Sequence, residues 1–538
     1  MKHESNPIGM IYGKTTPSTV QAIQLVGAPN IGVGRLVRIP IPSFDSKDEI
    51  NLLGRIASVW TQNRLLAHED MMPKMTTKDL KEGITLENLG LAKEIAGWVG
   101  FSIIIIGIHK DGAFVRPRSP LSPGQIIHLA DDNFVSSFFR KDQIINIGHL
   151  RDNYNVPAYL DYERLVTHHF SVLAMTGAGK SYTVGVILEE LFLVDDLQLP
   201  ILLIDPHSEY SSTSIPNKLS KQNLELAENI GNSIITFIPG SINNTVERRF
   251  EKRFKSRRVA RAIKFHPAEL ETWQIKTLLK QYYGISEAQS AALDQGWDEI
   301  YMDAISGLPP TSIEELISKV IVRMGEKAHV GTKRALTNKL TALLKREYFT
   351  FDIKQSADVS NLIQRGQISI LDLGGIEAFD QQALVGLLLR KLFELRKSGG
   401  TDKVKPFLTL IEEAHNFIPP GATASASKQI IARLAAEGRK FGVGLGIVSQ
   451  RPSKVDSDIL SQCNTHIVLR LMNPSDQHYI KSISEFMTEE DFEAIRGLAT
   501  GECMIMGMAV PFTLLVNIKE RRMTHGGFTP SLREELLL

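Results

Sequence analysis

Short apolar or alternating runs fill the first 135 residues, at 8–13, 20–26, 34–41, 54–61, 101–108 and 125–129, with Gly, Pro, Asp and Asn between them. Period-two runs with this punctuation predict strands, and so many in so short a stretch predict a small barrel over 8–135. The stretch 62–95 is more polar and helix-like, an excursion from the barrel. A connector follows, with strands expected at 148–151 and 157–161. From 170 the pattern alternates between apolar runs and helical periodicity, the signature of a parallel sheet. Strands are expected at 170–175, 201–205, 234–238, 367–373, 406–412, 442–449 and 465–471, and a hairpin at 502–506 and 511–517. Between 245 and 350 the strand signal vanishes. Apolar periodicity at 274–283, 287–302, 312–324 and 333–346 predicts an inserted helical bundle.

These patterns divide the chain into a β-barrel with connector (1–145), a core in two parts (146–244 and 351–518), a helical insertion (245–350) and a tail (519–538). The tail has a turn at Gly526-Gly527 and a charged, Leu-rich end, which reads either as a brace on a neighbouring subunit or as a fraying terminus.

A length of 538 residues leaves ample material for several cores. The formal charge of +1 argues neither for nor against nucleic acid, so any such site is local. One candidate is the basic run Arg248, Arg249, Lys252, Arg253, Lys255, Arg257, Arg258, Arg261 and Lys264; its alternative is a solvated helix face. Arg35, Arg38 and Arg55 carry the same ambiguity on the barrel. Cys463 and Cys503 offer neither a disulfide framework nor a metal spacing. Residues 1–7 contain no apolar leader, and 99–108, the most apolar short run, is too short to span a bilayer. The expected location is the cytoplasm, with no membrane partner.

One stretch organises the rest. The apolar run 170–175 ends in Thr176-Gly177-Ala178-Gly179-Lys180-Ser181-Tyr182, and helical periodicity follows at Val184, Ile187, Leu188 and Leu191. A strand, a glycine-rich loop and a helix in this order form a phosphate-binding loop. Backbone N–H groups of the loop and the helix dipole face the phosphates; Lys180 reaches the β- and γ-phosphates and Ser181 ligates Mg²⁺. Ala174 stands where the general pattern has its first glycine, a position that only eases entry to the loop. ATP and Mg²⁺ are the cofactors this loop implies.

Hydrolysis also requires a metal-ordering acid and a group that orients water. The strand expected at 406–412 delivers Glu412 and Glu413 to the carboxyl edge of the sheet, where ligands bind. The first suits Mg²⁺ and the second the attacking water. The next strand ends in Ser449-Gln450-Arg451-Pro452, which places Gln450 to sense the γ-phosphate. Arg439, just before that strand, is either a surface cation or a finger that reaches a neighbour's ATP.

The phosphate loop, Ile204-Asp205-Pro206-His207-Ser208-Glu209-Tyr210, Ile411-Glu412-Glu413-Ala414-His415, and Glu437 to Gly442 with Ile447 to Pro452 occur in this order. Together they closely resemble the HerA-type motors of the HerA/FtsK superfamily. The resemblance covers most of 165–518. It implies an α/β, RecA-like P-loop ATPase core with a helical insertion, preceded by a small HAS-barrel-like domain. It further implies a homohexameric ring with ATP sites between subunits and double-stranded DNA in the pore. Glu413 then activates water, Lys180 and Ser181 meet phosphate and metal, and Arg439 acts in trans. Asp205, His207 and Glu209 match the family's Asp-x-His-Gly-Glu-Tyr and support the site from behind, with Ser208 in the glycine's place. His168 stands where the family often has arginine, a weaker and pH-dependent substitute. Such motors work with a separate nuclease of the NurA type or, in anti-phage defence, with effectors such as sirtuin-like NADases. The rival reading is a nucleotide-dependent ring scaffold that assembles an effector.

Overall fold

The structure, a computed structural model, describes residues 7–42, 49–63, 97–110, 113–194, 197–210, 212–217, 221–243, 247, 251, 258–323, 329–399, 404–421, 425, 427–483, 487 and 489–524. Residues 64–95 of the helix-like excursion expected at 62–95, most of the basic run and the turn and helix expected in the tail lie outside them; residues 62 and 63 continue the strand Glu49–Asn63.

Alternation of inward apolar and outward polar positions closes the N-terminal strands into a six-stranded barrel. Its members are Thr19–Gln24, Pro7–Thr15, Ile126–Leu129, Leu36–Pro42, Glu49–Asn63 and Gly97–Lys110, in that order around the barrel, and the last pairs back onto the first. Ile8, Ile11, Val37, Ile39, Leu52, Ile56, Phe101, Ile103, Ile105 and Ile127 fill it. Among the described residues closure gives each barrel strand a neighbour on both sides, and Ala113–Val115 pairs with the far end of Gly97–Lys110. Arg55 is not a solvated or DNA-facing cation. It is buried in an ion pair with Asp491, on the strand face opposite to Leu52 and Ile56, which point into the barrel.

The described residues within 1–161, 486–498 and 502–518 form one compact unit, and those within 162–485, 499–501 and 519–538 the other. In the first, the expected hairpin Glu502–Gly507 and Leu514–Ile518 pairs antiparallel with itself and with Ile144–Leu150, which in turn pairs with Pro157–Asp161.

The second unit is built on a parallel sheet. Its strand order is Ala260–Ile263, Ile234–Pro239, Ile368–Asp372, Ile201–Asp205, Phe407–Ile411, Val443–Ser449, Phe170–Leu173 and Thr465–Leu469. The strands Phe170–Leu173, Ile201–Asp205, Ile368–Asp372, Phe407–Ile411, Val443–Ser449 and Thr465–Leu469 are buried throughout, as continuous apolar runs in a helix-covered parallel sheet must be. The insertion's helices are Thr272–Tyr283, Glu287–Ile305, Ile313–Arg323 and Val330–Leu344, close to expectation. They pack around fully buried Trp297, whose Nε1 donates to the Leu270 carbonyl at 2.7 Å.

The stretch 245–350 is not wholly helical. Ala260–Ile263 adds an edge strand to the sheet. With Arg261 and Ala262 exposed and a neighbour on one side only, it carries too little apolar pattern to register. Arg258 also departs from the basic-face reading. Its side chain is buried, bonded to Glu247 and, through Nη1 at 3.0 Å, to Asp372. At the start of the tail, Arg521 is buried against Glu189 of the helix Lys180–Phe192. A Cβ at Gly185 would lie 2.1 Å from the Arg521 guanidinium carbon, so any side chain there would displace the guanidinium. Cys463 and Cys503 are free and buried. Among the described residues no helix is long and apolar enough to cross a membrane.

Candidate nucleotide site

The loop 174–179 leaves the strand Phe170–Leu173 at the carboxyl edge of the sheet and enters the helix Lys180–Phe192. Gly177 and Gly179 have φ of 78° and 100°, in the left-handed region where glycine carries no Cβ penalty. Gly179 caps the helix without a side-chain bond, so the first N–H groups are left for an anion. Ala174 is buried in a backbone bond to the Ser449 carbonyl and causes no strain where glycine was the general expectation.

Sheet order decides what meets Lys180. One strand, Val443–Ser449, separates the phosphate-loop strand from Phe407–Ile411. Glu412 and Glu413 follow the latter, and Glu413 adopts φ of 45°. This left-handed turn brings both carboxylates to the same side, although successive strand residues point apart. Lys180 Nζ donates to Glu412 Oε2 at 2.5 Å and to Glu413 Oε1 at 2.8 Å. Burial works against the ammonium's charge, but the Glu412 and Glu413 carboxylates more than offset it and hold it above the ordinary Lys value. Burial raises the Glu412 carboxyl despite Lys180, whereas at Glu413 the Lys180 charge prevails over burial and keeps the group below its usual range.

Gln450 follows the intervening strand and bridges its neighbours. Its Nε2 donates to Glu413 Oε1 at 2.6 Å, and its Oε1 accepts from the Thr176 hydroxyl. Glu413 Oε2 is buried and receives no hydrogen bond, which leaves an acceptor for a water. His415 Nδ1 lies 3.3 Å from it, and burial keeps that imidazole below its ordinary value and therefore neutral.

The strand Ile201–Asp205 contributes from the other side. Asp205 Oδ1 accepts from the backbone of His207 and Glu209, and Oδ2 from Tyr210. Burial pushes its carboxyl up to about 7, against the Tyr210 N–H. The turn so formed aims Glu209 at Ser181 Oγ, 2.7 Å away, and Tyr210 Oη at Glu412. Tyr210 is a partner that sequence reasoning assigned no role, though it stands in the Asp205–Tyr210 motif. Ser181, Glu209 and Glu412 supply hard oxygen donors of the kind Mg²⁺ takes. Among the described residues no group of three or more His, Cys, Asp or Glu side chains is placed to hold a metal ion. Tyr182, one residue beyond Ser181, accepts on its hydroxyl from the Arg521 N–H at 2.8 Å.

Arg439 is not brought to this cluster. It is exposed in the turn Gly438–Phe441 that precedes Val443–Ser449, at the amino edge of the sheet. About seven strand residues at ~3.3 Å each, roughly 20 Å, separate that edge from the loop. His168 lies at the same edge, bonded to Thr167 Oγ1.

A strand-loop-helix anion cradle with a buried lysine, two strand-end acids and a bridging glutamine defines a P-loop ATPase. A family model described as "Helicase HerA, central domain" matches residues 145–392. The chain is 30% identical to the DNA double-strand break repair helicase HerA of Pyrococcus furiosus, across 96% of this chain and 93% of that one. It is 29% identical to the probable DNA double-strand break repair helicase HerA of Methanocaldococcus jannaschii, across 82% and 89%. The solved VirB4 of Thermoanaerobacter pseudethanolicus is similar at 17% identity over 71% of this chain and 98% of that one, with a TM-score of 0.49, a likeness too distant to bear on function. The chain belongs to the HerA helicase family.

Proposed function

We propose that the chain is an ATP-driven motor on double-stranded DNA that works as a homo-oligomeric, hexameric ring. The observation that carries the chemistry is the meeting of Lys180, Glu412, Glu413 and Gln450 at one sheet edge. The N–H groups of Thr176 to Ser181 and the side chain of Lys180 hold the phosphates of ATP, with Tyr182 beside them. Ser181 and Glu412 hold Mg²⁺, which neutralises phosphate charge when bound. Without nucleotide, Lys180 is shared between the two carboxylates. The phosphates compete for its ammonium, and its departure frees Glu413 to orient the attacking water. Gln450 then couples Glu413 to the loop through Thr176, as a γ-phosphate sensor. Arg439, exposed and far from its own loop, serves a neighbour's site. The similarity to DNA double-strand break repair helicases supports DNA as the track.

The β-barrel unit docks a partner or caps the ring; the partner is either a NurA-like nuclease in DNA-end processing or, in anti-phage defence, a sirtuin-like NADase or other effector. The test is ATP turnover by the full chain with and without linear duplex DNA. Turnover that duplex raises several-fold and Lys180→Ala abolishes supports a motor. Turnover indifferent to duplex favours the scaffold reading.

A further inference from the structure

Ser208 occupies the left-handed region, with φ of 58°, in the turn that presents Glu209 and Tyr210. A serine there carries a Cβ penalty that glycine would not. Its hydroxyl donates to Asp372 Oδ1 at 2.5 Å. Asp372 is the register partner of Asp205 across adjacent parallel strands, so the two acids that frame the turn stand side by side. The other Asp372 oxygen accepts from Arg258 Nη1 at 3.0 Å, and Arg258 is fixed in turn by Glu247 through Nε and Nη2. Gly374 completes the fit. A Cβ at that position would lie 1.9 Å from Ser208 Oγ, and its N–H bonds to Asp372 Oδ1. At the far end of the turn, Glu209 accepts from the Ser181 hydroxyl and Tyr210 Oη donates to Glu412.

We propose that Arg258, Asp372 and Ser208 are positioning residues of the ATPase site, a relay that locks the turn 206–210 so that Ser181 and Glu412 are set for the metal. This rests on the ATPase reading above. The relay also gives the segment that precedes the edge strand Ala260–Ile263 a physical connection to the site, through one buried guanidinium. Groups that hydrogen-bond to a metal's ligands typically change metal affinity or activity by about 10–100-fold when removed.

The test compares full-length wild type, Ser208→Ala, Ser208→Gly and Asp372→Asn. The readout is affinity for a fluorescent ATP analogue, measured in Mg²⁺ and again in EDTA, alongside the Mg²⁺ concentration for half-maximal turnover. Ser208→Ala keeps the strained backbone and loses the bond. The affinity that Mg²⁺ adds should fall about tenfold, with affinity in EDTA unchanged, and more Mg²⁺ should be needed for turnover. Ser208→Gly relieves the strain and should recover most of that loss. Asp372→Asn, which removes the charge that holds Arg258, should lose Mg²⁺ dependence in the same direction. Wild-type Mg²⁺ dependence in both Ser208→Ala and Asp372→Asn overturns the relay alone. So does an equal loss in Mg²⁺ and EDTA, which marks a collapsed loop. Failure of the wild type to bind the analogue overturns the ATPase reading and the relay with it.

Discussion

The side chains around the phosphate loop divide the chemistry by position rather than by type. Glu412 and Glu413 are chemically alike, yet one is fully enclosed between Lys180 and Tyr210 while the other keeps a buried oxygen without a donor. Glu413→Gln should therefore bind ATP about as well as the wild type and lose turnover by at least a hundredfold, the scale of a lost proton acceptor. A binding assay beside a phosphate-release assay checks this, and near-normal hydrolysis contradicts the role. Most of this site was legible in the sequence, because Gly177, Gly179, Lys180 and Ser181 are consecutive or nearly so and their spacing has one physical use. Tyr210 and Asp372 were not. Their partners lie on other strands, and only the parallel register that sets Asp205 beside Asp372 brings them in. Ser208 was visible as a departure from a family pattern, but its compensation by Asp372 is a tertiary fact.

The elements that carry these residues are held from both ends. His169, at φ of 58°, starts the phosphate-loop strand. Its Nδ1 accepts from the Leu445 N–H at 3.1 Å and its Nε2 donates to the Ala435 carbonyl at 3.2 Å, so the ring ties that strand to its neighbour and to the helix Lys428–Glu437. These bonds need a neutral imidazole. Burial lowers its pKa to about 4, against the Ala435 carbonyl, from 6.5. A lowered base contributes stability that is complete above the unfolded pKa and lost as pH falls. The unfolding midpoint should thus drop between about pH 6.5 and 4, and less steeply in His169→Gln than in the wild type. Equal slopes in a thermal scan across that window contradict the assignment. At this scale the buried strands were read from their unbroken apolar runs, and the helices of the insertion from their periodicity. The edge strand Ala260–Ile263 escaped because half of it faces solvent, and the basic run misled at Arg258 because a charge run does not reveal which member is turned inward.

On the scale of the whole molecule, the distance between Arg439 and its own loop is the feature with the largest consequence. If the site is completed by a neighbour, Arg439→Ala and Lys180→Ala should each be inactive alone, while mixed rings regain part of the activity where an intact loop faces an intact Arg439. Fingers of this kind are worth about 10³–10⁵ in rate. Differently tagged chains that co-purify establish the mixing, and wild-type hydrolysis by Arg439→Ala alone contradicts the shared site. The onset of the parallel sheet near residue 170 was legible from the change of period. The joining of 486–498 and 502–518 to the N-terminal unit was not, since contact between distant segments leaves no periodicity. If the Lys180–Glu413 site drives movement along duplex DNA, the purified full chain displaces a third strand from a linear triplex. The wild type should strip the third strand with ATP and Mg²⁺ but not with ADP, and Glu413→Gln should leave it in place. A wild-type chain that binds the duplex and hydrolyses ATP yet never displaces the strand, or a Glu413→Gln chain that displaces it as fast, contradicts the account.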